Sequence, residues 1–399
     1  MKTIFDRTFS TPRNMGNIVL TVDPFTGRTN TYLPPVVRYP DGPLLAMRDF
    51  IASSQTQMLH GEMPVQMDAD LATIKDVYNP GLAHYQNGYV MLVRYGNSFR
   101  GQEMYLATSD DGICWKHIPR PLRWPIPPKP RADSLKAANP ELPAKQTWRK
   151  PMYYDPRITQ MGDEYLVTLA VDYDTTPLAN GDYYNICDNI LYRTRDFKKV
   201  TLVGAMAGNT RNAILFPRKI NGYYYNACRP NTFVRSGEAT TGKSSVLFRS
   251  RDLLNWEPVH ELFCCGHAWM IYGGPGFPPF ETEKYWVMGA HGVETHGAHR
   301  VHYRAGICLL DKKTMKRASP VVPILDPEEP YELTGLVDNV VFPTGVLFSD
   351  GTGDGVKSRD TKVAIYYGGA DHVIHAGLST VGRLIDYALG NYNPYRQEA

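Results

Sequence analysis

No stretch of this chain stays apolar for the roughly 18 residues that a membrane-spanning helix needs. No run of lysine and arginine appears either, and the net charge is only +3 over 399 residues. Nucleic acid and anionic membrane are therefore poor partners for it. The start, Met1-Lys2-Thr3-Ile4-Phe5-Asp6-Arg7, lacks the apolar core and small-residue cleavage site of a secretory signal, so the expectation is a cytoplasmic protein. The six cysteines (Cys114, Cys187, Cys228, Cys264, Cys265 and Cys308) contain no CxxC, which argues against zinc and redox motifs and for reduced, buried thiols. The vicinal pair Cys264-Cys265 carries no assigned role. Asp350-Gly351-Thr352-Gly353-Asp354-Gly355 resembles a calcium loop but lacks the distal glutamate, so it reads as a solvated hairpin tip. His296, His299 and His302 lie near His291 at a spacing that suits one helical face. Gly297 and Ala298 between them indicate a loop, and no metal is expected.

Long amphipathic helices are nearly absent, and strand patterns dominate. A turn followed by an aromatic-rich strand recurs at Asn87–Arg94, Gly162–Ala170, Asn221–Tyr225, Lys284–Met288 and Lys362–Tyr367, with starts roughly 60 to 80 residues apart. A second element follows most copies: a strand, then Ser or Thr, then Asp, then an apolar residue. It reads Ser109-Asp110-Asp111-Gly112-Ile113, Thr194-Arg195-Asp196-Phe197 and Ser250-Arg251-Asp252-Leu253, with Leu309-Leu310-Asp311 as a degenerate fourth. An aspartate there bonds its own backbone and shapes a hairpin turn. Five copies at this period predict an all-β fold, a five-bladed β-propeller with a central active-site cavity. Two stacked sandwiches account for the recurrence less well. Residues 71–390 form the expected catalytic propeller, and residues 1–70 an N-terminal extension packing on it. Residues 117–150, rich in Pro, Lys and Arg, make a long loop. The 26 tyrosines suit a sugar-binding cleft, but dense β packing uses aromatics equally.

One segment concentrates chemistry: Tyr153-Tyr154-Asp155-Pro156-Arg157-Ile158-Thr159 sets a carboxylate and a guanidinium two residues apart at a strand entry. Alone it reads as a surface ion pair on a tight turn. In a propeller, however, strands from every blade end at one cavity. Polar residues at such ends are Asn79, Arg94, Asp155, Arg157, Arg211, Asn212, Arg229, His291, Tyr303, Glu332 and Asp371. Four are arginines with apolar neighbours, as in Leu215-Phe216-Pro217. Guanidiniums converging on one cavity call for an anion, whereas arginine–carboxylate pairing within blades is the simpler account of any one of them.

At this point the chain resembles glycoside hydrolase family 130, the β-mannoside phosphorylases and related β-mannosidases. The matching segments run in order through residues 77–387. They include Tyr78-Asn79-Pro80-Gly81, Leu92-Val93-Arg94, Tyr154-Asp155-Pro156-Arg157, Arg211-Asn212-Ala213-Ile214-Leu215-Phe216-Pro217 and Cys228-Arg229-Pro230. Gly274-Pro275-Gly276-Phe277-Pro278, Ala290-His291-Gly292, Tyr303-Arg304-Ala305-Gly306, Pro330-Tyr331-Glu332 and Gly368-Gly369-Ala370-Asp371 continue the series. The first 70 or so residues add nothing to the match. The resemblance implies that Asp155 is the general acid, delivering its proton through a hydroxyl of the bound mannosyl unit. It implies that Asn79, Arg94 and Asp371 hold that sugar, with Tyr154 beside it and Glu332 nearby. Arg211 with Asn212, Arg229, His291 and Tyr303 match the phosphate site.

The implied activity is an inverting glycoside phosphorylase, of glycosyltransferase type. It cleaves a β-mannoside disaccharide or oligosaccharide with inorganic phosphate as co-substrate, gives α-mannose 1-phosphate and uses no other cofactor. Phosphate brings its own charge to the anomeric carbon, so one acid and a basic cradle suffice. A hydrolase needs a second carboxylate, roughly 6.5–9.5 Å from the first in an inverting enzyme. Two departures bear on the choice. Tyr272 stands where the phosphorylases carry a phosphate-binding lysine, and Pro80 follows Asn79 where some members have a small polar residue. The first favours an inverting β-mannosidase using water, with Glu294 or Glu332 as base. A non-catalytic glycan-binding propeller is the further alternative. A furanosidase-type propeller with three carboxylates conflicts with the arginine-rich cavity. The N-terminal arm offers a surface for a homo-oligomer.

Overall fold

Aromatic and β-branched residues on both faces of a strand suit sheets covered on two sides, and these strands are covered so: Tyr89-Val90-Met91-Leu92-Val93 is buried throughout. The computed structural model describes residues 3–6, 20–22, 29–31, 34–46, 76–96, 103–122, 124, 125, 127, 152–177, 183–206, 210–230, 234–235, 238–239, 244–264, 266, 269–296 and 300–392. They form a five-bladed β-propeller. Blade one holds strands Asp76–Tyr85, Gly88–Gly96, Glu103–Ser109 and Lys116–Pro121, in that order outward from the axis. Blade two holds Met152–Met161, Glu164–Pro177, Tyr183–Thr194 and Thr201–Ala205. Blade three holds Thr210–Leu215, Tyr224–Pro230, Ser244–Ser250 and Glu257–Cys264. In blade four the inner strand is broken into Tyr272–Pro275 and Phe280–Thr282, both paired with Tyr285–His296, and Arg300–Asp311 and Val322–Leu325 follow.

Blade five takes Val341–Phe348, Lys362–Gly369 and Val373–Thr380 from the end of the chain and Val37–Arg38 from its beginning. The stretch expected as an extension thus supplies a strand to the propeller. Arg38 anchors it: Nε and Nη2 donate to the two carboxylate oxygens of Glu332 at 2.8 and 2.9 Å. Ile4 and Phe5 pack with Tyr39 and Leu45 into the core between blades one and five. Four further apolar cores fill the other junctions between neighbouring blades, so the interior is a ring of interfaces around the axis. Of the 117–150 stretch, the residues up to Leu122 and Trp124, Pro125 and Pro127 are described, and the remainder lies outside the described residues.

The aspartate turns repeat as the sequence indicates. Asp111, Asp196, Asp252 and Asp311 each accept two backbone N–H groups, two and three residues ahead, at 2.8–3.1 Å. In three of them the next residue is left-handed: Gly112, Phe197 and Leu253, at φ 76°, 55° and 68°. Phe197 and Leu253 have no glycine freedom, and burial of both side chains offsets the strain.

The segment between the first two strands of blade five crosses to other blades. Val356–Lys357 pairs in parallel with Glu281–Thr282 of blade four. The Gly353 N–H donates to Gln160 Oε1, and the Gly162 N–H to Asp354 Oδ2, both at 3.1 Å and both on blade two. Beneath it the central channel narrows to a cavity of about 20 Å³ lined by Leu82, Ile158, Pro217, Phe280 and Val346 from the five blades, with Gly353 at its edge. The run expected as a solvated tip is built around a buried ammonium. Lys357 Nζ donates to Asp350 Oδ1 and Oδ2 at 3.2 and 3.0 Å, to the carbonyls of Thr352 and Asp354 at 2.8 Å, and to Thr352 Oγ1 at 2.7 Å. Replacing Lys357 with Met strands these oxygens and is expected to cost about 2 kcal/mol. Urea unfolding measures it, and a variant as stable as the parent would refute the assignment.

Candidate active site

Three inner strands leave their ladders at the same place. The pairing register slips between Tyr78 and Gly81 in blade one, Tyr154 and Arg157 in blade two, and Arg211 and Ile214 in blade three. The residue after the first position of each slip is left-handed: Asn79 at φ 48°, Asp155 at 51° and Asn212 at 59°. Asn and Asp tolerate that conformation better than other residues with a side chain, and a bulge re-aims the side chain it carries. Pro80 and Pro156 occupy the next position, where a missing N–H costs no ladder bond. Neighbouring blades close tightly on these residues. A Cβ on Gly368 would lie 2.3 Å from Asn79 Oδ1, and one on Gly274 would lie 2.8 Å from Asn212 Nδ2 and 3.0 Å from His291 Cε1.

Asp155 is 7% exposed and Arg157 1%, so neither belongs to a surface ion pair. Asp155 Oδ1 accepts from Asn79 Nδ2 at 2.9 Å and from Arg94 Nη1. Arg157 donates from Nη1 to the Asp155 carbonyl at 3.0 Å and from Nε to the Gly276 carbonyl at 2.7 Å, so it fixes the backbone that carries the acid. Burial pushes the Asp155 carboxyl up, but Arg94, Arg157 and the bonds from Asn79 and Arg94 outweigh it and hold the group below its ordinary range. Burial drives Arg157 down to about 10; Asp155 opposes this, and the charges of Arg229 and Arg94 add to it. Asn79 Oδ1, Arg94 Nε and Arg157 Nη2 are buried without hydrogen-bond partners among the described residues.

Asp371 sits in a tight turn, Gly369-Ala370-Asp371-His372, closed by the His372 N–H donating to the Gly369 carbonyl at 2.8 Å. Both central residues are left-handed, Ala370 at φ 46° and Asp371 at 48°, a turn that glycine or asparagine usually fills. Burial raises the Asp371 carboxyl, Arg94 opposes this, and Asp155 and Asp76 add to it, leaving it at about 6.

Beside this acid lie Tyr154 and the residues expected to hold phosphate, Arg211, Arg229, His291 and Tyr303. The Tyr154 ring lies beneath two guanidinium carbons, Arg94 at 5.0 Å and Arg211 at 5.6 Å from its centroid. Its hydroxyl donates to Asp172 Oδ1 at 2.9 Å, and Arg211 Nη2 donates to the same oxygen at 3.2 Å. Asp172, which the sequence reading did not single out, thus holds both Tyr154 and Arg211. The signal was a lone carboxylate closing the apolar run Leu166–Val171. Arg229 Nη1 reaches the Gly273 carbonyl at 3.5 Å. Tyr272 and Tyr303 are hydrogen-bonded to each other, and Arg229 lies close enough to favour ionisation of both phenols, although burial raises both. Tyr272 therefore stands beside Tyr303 and Arg229. His291 donates from Nδ1 to the Pro275 carbonyl at 3.2 Å and packs against Phe342 and Tyr303.

Both glutamates considered as bases are engaged elsewhere. Glu332 is fully buried and, besides Arg38, accepts from the Tyr367 hydroxyl at 2.6 Å and from the N–H groups of Glu328 and Glu329. It holds the short helix Pro330–Leu333 against blade five and has no free oxygen for a sugar. Glu294 Oε2 accepts from Arg304 Nη1 at 2.7 Å. His302 lies opposite Glu294 in a strand pair and not in the loop expected of it, and its Nε2 is 2.5 Å from Asp326 Oδ1. His296 ends the facing strand, and His299 lies outside the described residues.

Comparison with known proteins agrees with this architecture. A protein-family model described as beta-1,4-mannooligosaccharide phosphorylase matches residues 76–388. The beta-1,4-mannooligosaccharide phosphorylase of Ruminococcus albus is 28% identical over 333 residues, 81% of this chain and 88% of that protein. The beta-1,2-mannobiose phosphorylase of Listeria innocua, solved with beta-1,2-mannobiose, superposes with a TM-score of 0.62 at 19% identity, covering 89% of this chain and 99% of that one. A further structure has a TM-score of 0.59 at 20% identity and covers 90% of this chain and 96% of its own. Its description places hydrolases that target beta-1,2 mannosidic linkages in Candida mannan within the same family of mannoside phosphorylases. The family match runs from the inner strand of blade one into the helix that follows blade five, and on it the chain belongs to glycoside hydrolase family 130.

Proposed function

We propose that the protein is an inverting β-mannoside phosphorylase that releases α-mannose 1-phosphate. The observation that carries this reading is the pairing of one buried acid, Asp155, with four guanidiniums, Arg94, Arg157, Arg211 and Arg229, gathered from three blades. The family match and the named relatives, which are mannoside phosphorylases, support it. In the free chain Asp155 is ionised against Arg94 and Arg157. An incoming phosphate opposes those guanidiniums and raises the proton affinity of the carboxyl, so the anion that attacks C1 also prepares the acid. Phosphate oxygen bonds to C1 as the glycosidic bond breaks, and the Asp155 proton goes to the departing sugar oxygen, directly or through a mannosyl hydroxyl. Asn79 Oδ1, Arg94 Nε and Arg157 Nη2 are unpartnered groups suited to sugar hydroxyls. The engagement of Glu332 and Glu294 weighs against water activation by either residue.

Tyr272 favours a second reading, an inverting β-mannosidase. A phenol adds no charge where phosphorylases have lysine, and Asp172 offsets part of Arg211. Incubating the protein with β-1,4- and β-1,2-mannobiose with and without phosphate decides between them. Mannose 1-phosphate is expected only with phosphate, and equal release of free mannose in both arms rejects phosphorolysis. Asp155→Asn should lower kcat by about 10²–10⁴ while leaving sugar binding measurable by calorimetry. Tyr272→Lys should lower the KM for phosphate about tenfold, whereas no change would place Tyr272 outside the anion site. The raised carboxyl of Asp371 means that the folded chain holds its proton where the unfolded chain has lost it. Stability is then expected to fall as pH rises from about 4 to about 6. Thermal melts across that window should show the fall, and Asp371→Asn should flatten it.

A further inference from the structure

Nearly every group in the anion cradle is a donor, and His291 is the exception. Its Nδ1 lies 3.2 Å from the Pro275 carbonyl, and a carbonyl oxygen only accepts, so Nδ1 carries the hydrogen. A second proton is excluded: the side chain is 1% exposed, and burial together with Arg229 and Arg157 holds the ring neutral. Nε2 is therefore a bare lone pair, with no partner among the described residues. The ring is packed against Phe342 at 4.6 Å between centroids and lies nearly parallel to Tyr303 at 6.3 Å, which opposes its turning. Its Cε1 edge and Asn212 Nδ2 both crowd Gly274 on the strand beside it.

We propose that the cradle accepts only an oxyanion that brings a proton of its own, donated from its hydroxyl to His291 Nε2. This rests on the phosphorolysis reading and names what that site selects. Hydrogen phosphate and hydrogen arsenate have the hydroxyl. Sulfate matches hydrogen phosphate in shape, size and charge, but it has no proton and sets an oxygen lone pair against the nitrogen lone pair. Leaving such an acceptor buried and opposed is what makes polar sites reject isosteres.

The test is calorimetric titration of the whole protein with sodium phosphate, arsenate and sulfate at pH 7.5 and constant ionic strength. Phosphate and arsenate are expected to bind alike, with sulfate about 100-fold weaker. Sulfate binding within about threefold of phosphate overturns the proposal while leaving phosphorolysis intact. Failure of all three to bind, together with phosphate-independent turnover, removes the anion site, and with it both phosphorolysis and this proposal. His291→Gln places an amide, able to donate, near the Nε2 position and should narrow the gap to under about tenfold. An unchanged gap in the folded variant assigns the selectivity to another residue. The wild-type comparison stands even where that variant fails to fold.

Discussion

The active cavity depends on a backbone constraint more than on any one side chain. A residue in the left-handed region cannot continue a β ladder, so the inner strand must bulge wherever Asn79, Asp155 and Asn212 stand. Each bulge turns a short polar side chain away from the blade, at the same height on three neighbouring blades. Asp155, its partner Asn79 and the amide of Asn212 are thus placed by sheet geometry, with little rotamer freedom left to lose. Glycines on the neighbouring strands, Gly368 and Gly274, allow the blades to approach where the bulges sit.

Electrostatics follows from that placement. Burying guanidiniums side by side is costly, and the structure offsets it with Asp155 against Arg94, Asp172 against Arg211 and the faces of Tyr154 and Phe342. Burial takes Arg157 down to about 10, with the charges of Arg229 and Arg94 adding to it, while Asp155 stays ionised.

Much of the fold was legible because each blade repeats local chemistry. Hairpin turns and aspartate turns act over three or four residues, and their period counts the blades. Asn79, Arg94, Asp155, Arg157, Arg211, Arg229, His291 and Tyr303 were legible as polar residues at strand ends, and the structure gathers them. What was not legible depends on distant partners. Glu332 looks like a cavity carboxylate until Arg38, 294 residues away, takes both its oxygens. The Val37–Arg38 strand shows no blade pattern because it completes a sheet whose other strands lie at the opposite end of the chain. Asp172 sits at the end of a long strand, and only the tertiary approach of Arg211 gives it a role.

Lys357 carries a different lesson. Six residues that spell most of a metal-binding loop close instead on an ammonium supplied by the same chain. A loop held by a borrowed ion is only as well formed as the ion is abundant, and it loosens whenever the medium is depleted. A loop that carries its own charge centre takes its shape when the chain folds and keeps it in any mixture of salts. The narrow end of this propeller is therefore braced from within the chain, where Lys357 holds the loop that crosses to blades two and four.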